Sequence, residues 1–145
     1  MIEVEGVNFK GIVFDPNNRN SRFIYSQEII DRELSKFVEK IKDGTALGRF
    51  NPQAHYEYSE IDSEKNAFEV TNLVRNEDGS WVVEGNTLKN FYGEMVHSML
   101  SDGVRMKPTL TGMGTVDENN VVGDDYSLIA IDMMLDGTKE TNYAV

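Results

Sequence analysis

The sequence contains no cysteine at all, only two histidines (His55 and His97), three prolines and a single tryptophan in 145 residues. Without cysteine there is no disulfide framework, no thiolate zinc site and no thiol nucleophile. Two histidines far apart in sequence do not make a ligand pair, since metal sites draw on clustered donors. Positive charge is also scarce. The 14 basic residues are outnumbered by 25 acidic ones, for a formal net charge of -11. A chain of that sign is repelled by phosphate backbones, which argues against nucleic acid as a partner. No long hydrophobic run occurs. The longest, Ser127 to Leu135, is interrupted by Asp132 and is too short to span a bilayer, so no membrane association is expected. The start, Met1-Ile2-Glu3-Val4-Glu5, lacks the basic and apolar regions of a signal peptide.

What is present has the pattern of one α+β domain, a size at which a single core buries most of what it needs. Val7 to Phe14 reads as a strand, closed by turn chemistry at Asp15-Pro16-Asn17-Asn18. Ser26 is placed to cap a helix running to Lys42, with Ile30, Leu34, Phe37, Val38 and Ile41 at helical spacing and Gly44 as its stop. Thr45 to Phe50 reads as a short strand, and 51–65 as a loop. Asn66 to Val74 and Trp81 to Leu88 flank Asn76-Glu77-Asp78-Gly79-Ser80, a strong hairpin signal. A second helix is expected over Leu88 to Ser101, with Leu88, Phe91, Tyr92, Met95, Val96, Met99 and Leu100 forming one apolar stripe. Lys107 to Val116 and Val121 to Asp125 suggest another hairpin around Asp117 to Asn120, and Tyr126 to Met134 a last strand. Hairpins dominate, so the sheet is expected to be mostly antiparallel: a small β-barrel or sandwich with two flanking amphipathic helices. Residues 1–135 form the domain, and 136–145 a polar C-terminal tail, loose or docked on a neighbour.

Few residues offer chemistry. His97 lies beside the helical stripe, the ordinary place for a helix-edge histidine. His55 sits in the acidic, aromatic loop Ala54-His55-Tyr56-Glu57-Tyr58. Thr109-Leu110-Thr111-Gly112-Met113-Gly114-Thr115 is glycine-rich, but its spacing is neither that of a P-loop nor that of a dinucleotide fingerprint. Its glycines fit a bulge or a close backbone approach within a strand. Asp124, Asp125, Asp132 and Asp136 do not match a calcium loop. No cofactor-binding or metal-binding residue is expected.

Three segments, in order and in register, resemble the prohead core proteases of T4-like tailed phages. They are Asn18-Arg19-Asn20-Ser21-Arg22-Phe23-Ile24-Tyr25 before a helix, Ala46-Leu47-Gly48-Arg49-Phe50-Asn51-Pro52, and Gly103 through Lys107-Pro108-Thr109-Leu110-Thr111-Gly112-Met113-Gly114. The resemblance covers roughly residues 7 to 135 and implies a prohead-protease-like fold. Carried over by position, the family's catalytic histidine falls on Pro52, its serine on Thr109 and the neighbouring arginine on Thr111. A proline has no base, and an internal threonine needs one. The resemblance therefore implies a degenerate site in which Pro52, Thr109 and Thr111 are vestigial. Only Thr109 with His55, three residues beyond the lost position, stands as an alternative pair. It also implies phage head proteins, such as the major capsid protein, as partners, a place in the virion, and the host cytoplasm during assembly. A homo-oligomer is open. The competing readings are an active maturation protease with an altered Thr/His site and a portal or neck assembly adaptor.

Overall fold

The computed structural model describes residues 2–18, 22–50, 66–136 and the backbone of 142–143. The chain order is β1 (Glu3–Glu5), β2 (Asn8–Phe14), α1 (Gln27–Lys42), β3 (Leu47–Arg49), β4 (Asn66–Arg75), β5 (Trp81–Thr87), α2 (Phe91–Ser101), β6 (Met106–Met113), β7 (Ser127–Leu135) and β8 (Asn142–Tyr143). The strands form a five-stranded sheet ordered β1-β2-β5-β4-β3 and a three-stranded sheet ordered β7-β6-β8. Pairing is antiparallel apart from β6 with β8, where Gly112 and Met113 meet Asn142 and Tyr143. The architecture is thus α+β with two helices and mostly antiparallel sheets, as expected. Among the described residues the sheets do not close into a barrel.

The two sheets are read differently by solvent. In β5 burial alternates strictly, so one face is buried and the other half-buried. Strands β6 and β7 are buried almost continuously, because other elements cover both their faces. Strand β6 packs on β2, where Gly11 lies against the Pro108 ring, and β7 packs on β3. Phe9 and Phe68 meet edge to face at 5.2 Å in the shared core, beside Leu34, Phe37, Val83, Val96 and Ile131. Fully burying a side chain such as Leu34 contributes about 2 kcal/mol.

Helix α1 follows its sequence signals. The Ser26 hydroxyl accepts the Ile29 N–H at 3.2 Å, and Gly44 ends the helix at φ +73°. Its charged side chains then fasten it. Asp31 Oδ1 accepts from the Trp81 indole at 2.8 Å, from Gln27 at 2.9 Å and from Arg75 at 3.0 Å, joining the helix to the β4–β5 hairpin. Burial works to raise the Asp31 carboxyl pKa, but these donors win and hold it below its ordinary value. Glu33, almost fully buried, accepts the Leu128 N–H of β7 at 2.9 Å and takes ion pairs from Arg32 at 2.9 Å and Lys36 at 3.2 Å. Burial again pushes upward, and the Leu128 amide with the two cations brings the Glu33 pKa below normal. Arg32 Nη2 donates to Tyr126 O and Lys40 Nζ to Ile129 O, both at 2.9 Å. Side chains of α1 thereby occupy backbone groups of β7 and the residue before it.

Two expectations are corrected here. Helix α2 begins at Phe91, not Leu88: the Leu88 N–H goes to Ala67 O at 2.9 Å, and the Asn90 side chain caps Gly93 N at 2.7 Å. Its apolar residues do not form one buried stripe, since Phe91 is 74% exposed. The second hairpin is also different. The Asp117–Asn120 turn exists, with Asn120 at φ 63°, but Val121 to Asp125 forms no strand: Val122 bridges to Val116 and Val121 to Ile24. The true partner of β6 is β7, in register from Met106–Leu135 to Met113–Ser127 with one bulge at Thr111/Gly112.

Candidate functional site

The Ala46-Leu47-Gly48-Arg49-Phe50 segment forms β3 and its continuation, which crosses from one sheet to the other. It pairs with β4 through Leu47–Glu69 and Gly48–Phe68, and Phe50 then bridges in parallel to Met133 of β7. The crossing is tight. A Cβ at Gly48 would overlap both the Phe68 ring and the Ile131 carbonyl oxygen, so only glycine fits. Gly112 is confined in the same way by the Tyr126 ring. The reading of the Thr109–Thr115 glycines as places of close approach holds at Gly112 and at Gly114, where a Cβ would press on the Tyr126 backbone.

At that junction the structure brings together Arg49, Thr109, Thr111 and Asp132, each at most 5% exposed. Thr109 is paired directly with Asp132 across β6 and β7, and Thr111 lies two residues along the same face. The Asp132 carboxylate accepts the Arg49 backbone N–H at 2.9 Å and the Thr111 hydroxyl at 2.6 Å. The Thr109 hydroxyl instead donates to the Lys107 carbonyl, at 3.4 Å. A buried carboxylate held by such donors fastens β3 to β7 and β7 to β6, because each hydrogen bond to it offsets part of the cost of its burial.

Among the described residues this cluster offers two hydroxyls and a carboxylate. Thr111 faces the Asp132 carboxylate, to which its hydroxyl donates. The histidine among the described residues, His97, lies on α2, which packs on β4 and β5, whereas Thr109 lies on β6. Pro52 and His55 lie outside the described residues. Among the described residues no three His, Cys, Asp or Glu side chains gather as a metal centre, and no helix is long and apolar enough to cross a membrane. A surface groove of about 570 Å³ lies elsewhere, over β1, β2, β4 and β5, lined among others by Glu3, Glu5, Lys10 and Glu84.

Sequence reasoning placed Thr109 and Thr111 correctly on one strand but missed that Asp132 organises the site with Arg49. The signal was available: an acid in the middle of the apolar run of β7 is a polar group that burial forces to find partners.

The fold is similar to the solved structure of the bacteriophage T4 capsid assembly protease, gp21. The TM-score is 0.69 at 15% sequence identity, over 90% of this chain and 82% of that one. No family model matches the chain, and no curated protein matches it. At that identity the likeness establishes the fold: this chain has the architecture of a phage capsid assembly protease.

Proposed function

We propose that this chain is a structural component of a tailed-phage head, a capsid cement, decoration or minor head protein, built on a prohead-protease-like fold that does not cut. The observation that carries the reading is the burial of Thr109, 5% exposed in a doubly covered strand with its hydroxyl turned to the Lys107 carbonyl. A nucleophile must be reachable by a polypeptide and needs a base within about 3 Å. Pro52 at the position where the resemblance calls for a base, and Thr111 given over to Asp132, support the same reading. On this view the strand that holds a nucleophile in a working protease serves here as an internal tie, and the surface does the work, docking on the major capsid protein or another head protein.

The test is in two parts. Mass spectrometry of purified mature heads is expected to find the chain at a fixed ratio to the capsid protein. Incubation with the capsid and scaffold proteins of its own phage is expected to leave them intact. Cleavage that disappears in both Thr109→Ala and His55→Ala would replace this reading by an active protease. Co-purification with portal subunits alone, and absence from the shell, would replace it by a neck adaptor.

A further inference from the structure

We infer that the free edge of β1 takes up an extended basic segment of a partner protein, which adds to the five-stranded sheet as a further strand. The inference stands apart from the proposed function, because a strand edge pairs through its backbone whatever else the domain does. Among the described residues β1 ends its sheet: β2 pairs with it on one side, and no strand pairs with it on the other. All three of its residues are exposed. A strand in that position leaves its outward N–H and C=O groups to another chain.

The side chains beside that edge select the partner's charge. Across β1 and β2, Glu3 stands opposite Lys10 and Glu5 opposite Asn8. Across β2 and β5, Lys10 stands opposite Glu84 and Asn8 opposite Asn86. Directly opposed residues share a face, so Glu3, Glu5, Lys10 and Glu84 lie on one side of the sheet. There they line the groove of about 570 Å³, which sets three carboxylates against one ammonium. That ammonium is already drawn to Glu84, at 3.7 Å. The edge is therefore left with a surplus of negative charge, which a partner's cations would balance.

Spacing fixes the partner's conformation. Glu3 and Glu5 are alternate residues of a strand, about 7 Å apart on one face. An extended segment presents its own alternate side chains at the same interval, so lysines or arginines one residue apart meet both carboxylates as cross-strand pairs. Val4 lies between them on the opposite face, 37% exposed, and an apolar residue between the two cations would cover it. The matching pattern is basic, apolar, basic. A helix has its backbone groups bonded internally and cannot extend the sheet. The same carboxylates reject a second copy, since β1 beside β1 sets Glu-Val-Glu against itself in a chain of net charge -11. Attraction of one class of strand and rejection of another by the same groups makes the edge selective.

NMR titration of the full, isotopically labelled chain with a short peptide of alternating lysine and valine tests this. Because β1 is only three residues long, binding is expected to be weak, with saturable amide shifts centred on Glu3 to Glu5. The double variant Glu3→Lys with Glu5→Lys should weaken binding about tenfold and gain affinity for a glutamate–valine peptide. The control Glu77→Lys with Glu118→Lys makes the same change in net charge at two exposed positions away from β1. At physiological ionic strength, where charges are screened beyond about 8 Å, it should leave binding within about twofold. Methylating the backbone nitrogens of the lysine peptide keeps every charge but removes its donors, and should abolish binding. No saturable shift at β1, binding indifferent to methylation, or equal losses from the two double variants would overturn the proposal.

Discussion

Strand β7 is gripped from two sides by buried carboxylates, and the two grips are built differently. Glu33 reaches in from α1 to the start of the strand, and its partners include Arg32 and Lys36, side chains that extend into solvent. Asp132 belongs to the strand itself and is met by the Arg49 amide and the Thr111 hydroxyl, all well inside. The first is a clasp at the domain's rim, where water can partly replace a lost partner. The second lies where water cannot. Similar chemistry therefore carries different weight: the rim contact tunes how α1 sits, and the inner one decides whether the two sheets stay joined.

The sharpest way to break this contrast is Asp132→Ala. It strands the Arg49 N–H and the Thr111 hydroxyl in the junction, and a stability loss of about 3 kcal/mol is expected. Urea denaturation measures it, and a loss below about 1 kcal/mol would show that the junction does not depend on the carboxylate.

The rim clasp should yield less and should carry the acid dependence. Glu33→Gln keeps the shape and is expected to cost about 1–2 kcal/mol at pH 7. The folded pKa values of Glu33 and Asp31 are depressed, so their contribution is complete above the ordinary carboxylate range and is lost as pH falls through the folded values. Melting temperature should be flat from pH 7 to about 5 and fall below about pH 4. The fall should be shallower in Glu33→Gln. An unchanged slope would remove Glu33 from the acid response.

The smallest effect separates the two threonines. Thr111→Val deprives Asp132 of a donor and should cost about 1–2 kcal/mol, whereas Thr109→Val gives up only a long bond to Lys107 and should cost well under 1 kcal/mol. Equal losses, measured side by side by urea titration, would mean that the hydroxyl of Thr109 is as deeply engaged as that of Thr111.

Much of the architecture was legible because it is governed by local rules. Ser26 and Gly44 bracket α1 as their side-chain and backbone preferences require, and Asp78-Gly79 turns the β4–β5 hairpin with Gly79 at φ +93°. The errors fall where a distant partner outbids a local preference. Leu88 reads as the first turn of a helix, but the Ala67 carbonyl takes its amide. Val121 to Asp125 reads as the return strand of a hairpin, but β7 pairs with β6 over a far longer register. The candidate site was half legible: the two threonines follow from their spacing, while Arg49 lies 83 residues from Asp132 and nothing local links them.

The sequence by itself determined the α+β class, the two helices, the lack of thiol chemistry and the alignment of Thr109 with Thr111, since each depends on residue type and short-range periodicity. Tertiary structure alone decided that the sheets stay open, that Asp132 unites β3, β6 and β7, and that Phe91 faces outward. Those outcomes depend on which of several compatible surfaces meet, a choice set by burial summed over the whole chain and not by any one segment.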